Sequence, residues 1–434
     1  MENLTSAPST AANKDLLISL LENDAVPMHT LQQRYAALLE LVRILIGVVP
    51  NCDRYLEIWP PAFRTYNLLV PNFLNLPFSI FGIGGATKEL VGLGMYVASR
   101  TAECPYCSAH TCSFALRRGA DPRTLAQSLL GGNDFSDKEL ATIAIARSLS
   151  QIPCDLSADE FNAIQRNFTD VEAEWIVLGI AMMGFLNKFM DAIGVQLESS
   201  TVAETRKTMG EHWTPGKAGR DLDRDTVTAM PSSDNLRTRM SAIKYAPSAL
   251  MLDMKWQKGV PSRWPDVGEF LRHVSGYDFP MLSMLKNKRA ARAIAAVLRE
   301  NIDAEQSVVG IDIKIKSGVI FSSIVNNHDL EHMICNLGTT AALNVSEIAS
   351  LKSFANNDIE LPGNRSQSET VLLTLARAAS PSPAEISASV VRNCDNANLT
   401  SAGIVELITW LSVLQMLHRL SRFLLFSKNT EADN

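Results

Sequence analysis

Two cysteines and a histidine, closely spaced, have the clearest chemical potential in this chain. Cys104 and Cys107 are separated by Pro105 and Tyr106, and His110 follows three residues later. If Pro105 occupies the first turn of a helix, where its missing N–H costs little, Cys104 lies at the N-cap and Cys107 one turn in. Cα atoms three residues apart on a helix are about 5–6 Å apart, which a disulfide tolerates. The spacing predicts a dithiol that forms and breaks its disulfide without backbone movement.

The start of a helix also affects the chemistry of these thiols. Free N–H groups and the positive end of the helix dipole favour a thiolate there. His110 falls on the same helix face as Cys107, where it could accept the thiol proton or donate to a leaving group. We therefore expect Cys107, next to His110, to attack and Cys104 to meet the resolving and reducing partners.

The surrounding sequence predicts helices to carry these residues. Apolar residues recur at helical spacing, strand-like alternation is scarce, and Ser-x-x-Glu capping boxes begin at Ser136 and Ser157. The fold class is therefore predicted to be all-α. The predicted helices include Leu31–Val49, Lys88–Ser99, Ser136–Ser150, Ser157–Asn167 and Asp170–Ile193.

Composition limits the possible partners. The 434 residues exceed the size of a single core, and 46% hydrophobic with 20% charged residues is typical of a soluble globular protein. A net charge of -6 without clustered Lys and Arg argues against nucleic acid. The first residues do not resemble a secretory signal, and charged or proline residues interrupt the long apolar stretches. We expect a cytoplasmic protein that does not bind a membrane.

The chain also shows signs of an internal repeat. Asn167-Phe-Thr and the apolar helix after it align without gaps on Asn398-Leu-Thr and its following helix, and Cys112 aligns on Cys335 at a different offset. In this register Cys104 and Cys107 fall on Asn327 and Leu330, so the second copy lacks the dithiol. The prediction is two homologous helical domains, the second unable to run dithiol chemistry.

Around the cysteines the chain resembles the carboxymuconolactone decarboxylase superfamily, in particular its AhpD-like alkylhydroperoxidases. The resemblance implies an all-helical redox domain at 1–200, a linker at 201–260 and a degenerate AhpD-like domain at 261–434. It also implies that Cys107 attacks a peroxide, that Cys104 resolves the product, and that His110 and a glutamate relay protons. Glu89 is our candidate for that glutamate, one helical turn before Gly92, which occupies the position of the family glutamate; Glu103 is the second choice.

The same resemblance implies the partners of the reaction. The expected function is a thiol-dependent hydroperoxidase or disulfide oxidoreductase, without a cofactor, acting on a small peroxide and reduced by a thiol reductant. A homo-oligomer is expected because single-domain members of this family typically form threefold rings.

Other functions are compatible with the same residues. His110 and Glu89 could act as acid and base in a cofactor-free decarboxylase or isomerase of a small organic acid or lactone. The cysteine pair could instead be a redox sensor in a non-enzymatic assembly protein.

Metal binding is a further alternative at two places. Cys104, Cys107, His110 and Cys112 could be zinc ligands, although one short helix cannot easily surround an ion. His328-Asp-Leu-Glu331-His332 matches a zinc-peptidase pattern, but a polar helix face is the favoured interpretation. We predict no metal at either place.

Overall fold

The fold is all-α, as predicted. The computed structural model describes residues 13–76, 78–81, 88–131, 134–220, 236–338, 343–357, 361 and 365–432. Throughout these ranges the regular secondary structure is helical, with no strand. In the first half the helices are α1 Ile18–Leu21, α2 Met28–Ile46, α3 Asp53–Leu56, α4 Pro60–Phe73, α5 Lys88–Thr101, α6 Pro105–Arg117, α7 Pro122–Gln127, α8 Asp137–Ser148, α9 Ala158–Asn167 and α10 Asp170–Ile193.

Ten further helices complete the described chain. They are α11 Ser199–Met209, α12 Leu236–Trp256, α13 Asp266–Ser275, α14 Lys288–Ile302, α15 Ile311–Ile324, α16 His328–Cys335, α17 Val345–Asn356, α18 Gln367–Ala379, α19 Ala388–Asn396 and α20 Ser401–Ala432.

Local sequence signals explain most helix ends in the first half. The capping boxes of Ser136 and Ser157 are both formed, each serine oxygen accepting the N–H of a glutamate three residues on. α10 has the predicted bounds and ends at Gly194, which adopts a left-handed φ of 78°. The prediction for α2 was too long at its C-terminus, because Gly47 has a φ of 94° and terminates the helix after Ile46.

The centre of the protein is the pair of long apolar helices α10 and α20. They pack on each other more extensively than any other two helices described. Asp170–Ile193 and Ser401–Phe426 are long and apolar enough to cross a membrane, by length and composition alone. In each helix, 94% of the most apolar 18-residue stretch is buried inside the protein, as is typical of core helices in soluble proteins.

The second half repeats the helix order of the first in several places. α5 and α15 both have 14 residues, and each is followed by a left-handed residue with a φ of 51°, Glu103 and Asn326. The next residue then caps a helix: Cys104 caps α6 and Asn327 caps α16. These matches favour the tandem duplication, which remains a prediction.

The segment predicted as a linker, 201–260, is largely helical and packed where it is described. It contains most of α11 and all of α12, and α12 packs on α2 and α4. Trp213, between the two helices, is 4% exposed, and its indole N–H donates to Ser108 Oγ at 2.8 Å. The polar composition did not predict this packing, because the segment is held by individual buried side chains such as Trp213. Residues 221–235 lie outside the described ranges.

Candidate functional site

Cys104 and Cys107 lie at the start of α6, in the positions that the sequence predicted. Cys104 is the N-cap, Pro105 follows in the first turn, and Sγ of Cys104 accepts the backbone N–H of Cys107 at 3.4 Å. The backbone N–H of Cys104 donates to the carbonyl of Ser99 at 3.1 Å, which ties the motif to the end of α5. A thiol replaces the usual N-cap hydroxyl or carboxylate, so the helix N–H groups are directed at sulfur.

Cys107 faces an apolar cavity of about 70 Å³ between α2, α4, α6 and α10. His110 also lines it, one turn further along α6, and so does Cys52 from the loop before α3. The remaining walls are mostly aliphatic, aromatic and thioether side chains, among them Leu45, Tyr66, Met95, Tyr106, Phe114 and Met183. Such a lining suits an uncharged or largely apolar substrate.

Cys104 lines a different space, an open groove of about 280 Å³ on the other side of the motif. Its other walls come from the end of α5, the start of α6 and the segment after α11. They include Arg100, Glu103, Ser108, Glu211, His212 and Trp213. Cys104 and Cys107 are both nearly inaccessible, at 1% and 3% exposure, yet Cys107 borders an apolar space and Cys104 one of mixed polarity.

His110 is paired with a carboxylate that the sequence did not indicate. Its Nδ1 donates to the carbonyl of Tyr106 at 2.9 Å, and its Nε2 lies 2.9 Å from Oε2 of Glu198, out of line for a well-formed hydrogen bond. The ring is also tilted against that of Tyr106, with centroids 4.4 Å apart. These contacts hold the imidazole in one orientation at the wall of the cavity.

Glu198 is buried and well supplied with donors. Its Oε1 accepts the backbone N–H of Asn51 at 2.7 Å and the hydroxyl of Tyr106 at 3.3 Å. Burial alone would raise the pKa of Glu198, but the positive charge of His110 at 2.9 Å and the backbone N–H of Asn51 outweigh it and lower that pKa. Burial acts to lower the pKa of His110, and Glu198 overcomes that effect and raises it. The arrangement therefore favours an imidazolium paired with a carboxylate.

Burial decides the ionisation of Cys107. Burial, followed by the hydrogen bond and charge of Cys104, raises the pKa of Cys107 well above its usual value. The prediction that the helix start favours a thiolate at this residue was therefore wrong, because burial of the sulfur outweighs the helix dipole. A cation of the second half, Arg419 on α20, interacts with both thiols and is fully buried. Burial lowers the pKa of Arg419 to about 9, against the opposing influence of the thiols of Cys154, Cys107 and Cys104. A positive charge from the second half thus acts on the dithiol of the first.

Arg419 makes little use of its hydrogen-bonding capacity within the protein. Its Nη1 donates to the carbonyl of Ile180 at 3.0 Å, while Nε and Nη2 are buried without a hydrogen-bond partner among the described residues. Its Cδ packs against Gly184, on the stretch of α10 whose Met182 and Met183 line the cavity. The guanidinium is therefore placed to stabilise negative charge near that wall.

Glu89, the predicted proton relay, is not placed at this site. It is exposed in the first turn of α5, which runs antiparallel to α6. Gly92 on α5 packs against Ala115 on α6, because a Cβ built on Gly92 would lie 2.8 Å from Cα of Ala115. Ala115 is eight residues after Cys107, or about 12 Å further along α6 at a rise of 1.5 Å per residue. Glu89 is one turn further away still. Glu103, the second choice, is exposed at the groove beside Cys104.

The structure gathers no metal-ligand set at either alternative place. Among the described residues no three His, Cys, Asp or Glu side chains are arranged to hold a metal ion. Cys112 is fully buried in the core. In the second half His328 and His332 are exposed, and Glu331 pairs with Lys352 at 3.0 Å.

Comparisons with known proteins give a partial structural match. Two crystal structures of the debrominase Bmp8, the apo form and a cysteine-to-alanine variant in complex with 2,3,4-tribromopyrrole, align with a TM-score of 0.38 and 20% identity. Each alignment covers 42% of this chain and 96% or 95% of the debrominase chain. No protein-family profile matches the chain, and no curated protein sequence matches it. Alignment at this TM-score leaves the activity open.

Proposed function

We propose that this protein is a thiol-dependent hydroperoxidase or disulfide oxidoreductase with Cys107 and Cys104 as its redox pair. The observation that carries the proposal is the placement of the two thiols. Cys107 borders an apolar cavity together with His110, and Cys104, one turn away, borders an open groove of mixed polarity. Substrate and reductant can thus approach the same dithiol from different sides.

The positions of the two thiols and His110 support the following reaction. Sγ of Cys107 attacks the outer oxygen of a hydroperoxide, and an S–O bond forms as the O–O bond breaks. The alcohol leaves with a proton from the His110 imidazolium, which the proton of the Cys107 thiol replaces. Sγ of Cys104 then displaces water from the sulfenic acid to give the disulfide, and two thiols of an external reductant restore the dithiol.

In this reaction Glu198 takes the role in the proton relay that the resemblance suggested for Glu89. Its carboxylate keeps His110 protonated and oriented, so a proton is available at the cavity when the alkoxide leaves. Arg419 supplies a positive charge while the Cys107 sulfur is anionic. Neither residue needs to touch the substrate, so both are positioning residues.

A second function is favoured by the same His110 and Glu198 pair. A buried histidine and carboxylate beside an apolar cavity could exchange a proton with a small organic acid or lactone, as in a cofactor-free decarboxylase or isomerase. That reaction would not consume either thiol. The two proposals therefore differ in whether the cysteines are needed.

Thiol counting with matched variants separates these functions. The full-length protein is reduced, freed of reductant, treated with cumene hydroperoxide and titrated for free thiols under denaturing conditions. We expect a loss of two thiols per chain in the wild type and the release of one equivalent of cumyl alcohol. Cys107→Ser should release none. Cys335→Ser, a half-buried thiol on α16, is the control and should behave like the wild type.

Turnover with dithiothreitol then tests catalysis. Repeated cycles support an enzyme, whereas a single oxidation without turnover supports the redox sensor. Retention of both thiols after peroxide treatment, together with no alcohol release, would contradict the redox proposal and leave the acid and base function to be tested on organic acids.

A further inference from the structure

A third thiol shares the cavity of Cys107. Cys52 lies in the loop between α2 and α3, is 1% exposed, and lines the same cavity of about 70 Å³. It comes from a part of the sequence with no relation to the Cys-x-x-Cys spacing. Two nucleophilic sulfurs, those of Cys52 and Cys107, therefore border one small, apolar space.

Cys52 is also tied to the turn that carries the dithiol. Its backbone N–H donates to the hydroxyl oxygen of Tyr106 at 3.4 Å, and Tyr106 immediately precedes Cys107. The same hydroxyl donates to Glu198, the partner of His110. The hydroxyl of Tyr106 therefore connects the loop of Cys52 to a side chain from the first turn of α6.

The thiols influence each other electrostatically. Burial raises the pKa of Cys52, with smaller contributions in the same direction from Asp53 and Glu198, while Tyr106 opposes them. Cys52 in turn contributes to the raised pKa of Cys107. Both thiols that line the cavity are therefore held in the protonated form.

We propose that Cys52 is a second resolving thiol for Cys107, forming a Cys52–Cys107 disulfide on the cavity side. The proposal rests on the proposed redox function. The Cys52 sulfur attacks the sulfenic acid of Cys107, the S–O bond breaks, and the departing hydroxide leaves as water with the proton of Cys52. The same external thiol reductant then reduces the new disulfide, so atoms and electrons balance as in resolution by Cys104.

A resolving thiol on this side has a distinct use. Cys104 borders the open groove and is occupied whenever it forms a mixed disulfide with the reductant. Cys52 borders the cavity and stays available during that time. It therefore protects a sulfenic acid on Cys107 from further oxidation to the irreversible sulfinic acid.

The test uses the full-length Cys104→Ser variant and diamide, which oxidises two thiols to a disulfide and is itself reduced to a hydrazine. Serine retains N-cap function at position 104, so the variant should fold. After oxidation, remaining thiols are alkylated and the protein is digested for mass spectrometry without reductant. The expected product is a peptide pair joined through Cys52 and Cys107. The double variant Cys52→Ser, Cys104→Ser should lack it.

The outcomes distinguish this proposal from the proposed function. Absence of the Cys52–Cys107 pair in the Cys104→Ser variant overturns the second resolving thiol, whatever the wild type does. If the pair forms but the wild type neither consumes peroxide nor releases alcohol, the thiol pairing stands and the hydroperoxidase fails. With cumene hydroperoxide in place of diamide, dimedone should label Cys107 much more strongly in the double variant than in Cys104→Ser.

Discussion

Nε2 of His110 and Oε2 of Glu198 lie 2.9 Å apart, although His110 is inside α6 and Glu198 caps α11. The contact is buried and is supported by the backbone of Asn51 and the hydroxyl of Tyr106. It raises the pKa of His110 and so favours a protonated imidazole in the wall of the Cys107 cavity, without any contribution from α5. Several measurable consequences depend on it.

Glu198→Gln should slow peroxide consumption by about 10²-fold, at the lower end of what a positioned general acid contributes. The amide keeps the shape, and its oxygen can still accept from Asn51 and Tyr106, but it no longer favours the imidazolium. Glu89→Gln is the matched control and should leave the rate unchanged, because that side chain is exposed and two turns or more from the dithiol. Stopped-flow measurement of single-turnover alcohol release compares the two; equal rates would contradict the role of Glu198.

The same pair predicts how stability depends on pH. The raised pKa of His110 gives stability that is complete below its unfolded value of 6.5 and is lost as pH rises through the higher folded value. The lowered pKa of Glu198 gives stability that is complete above 4.5 and is lost as pH falls through the lower folded value. Urea unfolding should therefore show Glu198→Gln less stable by about 1–3 kcal/mol near pH 5.5, because the buried imidazolium then lacks its counter-charge. The difference should shrink towards both pH extremes, and a difference independent of pH would contradict the ion pair.

Arg419→Met should raise the pKa of Cys107 further. Methionine fills similar space but removes the buried positive charge, so the thiolate loses stabilisation. We expect alkylation by iodoacetamide at pH 7.5 to slow by about tenfold, the effect of a one-unit pKa increase. Arg419→Lys keeps the charge and should lie closer to the wild type. Superimposable pH profiles of alkylation for all three proteins would show that Arg419 does not act on the dithiol.

The packing of α10 on α20 can be tested at a glycine. A Cβ at Gly184 would approach the carbonyl oxygen of Gln415 to 2.9 Å and Cδ of Arg419 to 3.1 Å. Gly184→Ala should lower the free energy of unfolding by about 1–3 kcal/mol, as overpacking usually does. At Gly94 a Cβ would make only ordinary contacts of 3.4 Å or more. Gly94→Ala should therefore be neutral or stabilising by up to about 1 kcal/mol, from helix propensity. Thermal denaturation of both variants decides the comparison.

Local patterns predicted much of the fold and the core of the site. Pro105 after a cysteine placed Cys104 at the N-cap of α6, and capping boxes at Ser136 and Ser157 began α8 and α9 where expected. These features depend on interactions among a few neighbouring residues, so a short stretch of sequence is enough to predict them. The all-α class follows from the same short-range information.

Long-range partners could not be predicted in this way. Glu198 reaches His110 only because the chain turns after α10. The spacing of residues in the sequence does not predict where that turn places Glu198. Arg419 reaches the dithiol through the packing of α20 on α10, and Cys52 through the loop after α2. Glu89 was chosen by spacing from the cysteines, but Gly92 packs against Ala115, which carries the start of α5 away from them.

The pairing of α10 with α20 means that this interface forms within one molecule. In an assembly of separate subunits the same contact would weaken on dilution, whereas a covalent connection holds the two helices at a high effective concentration. Either helix alone would present a long apolar surface to water. The placement of Arg419 against α10 is consequently independent of the concentration of the protein.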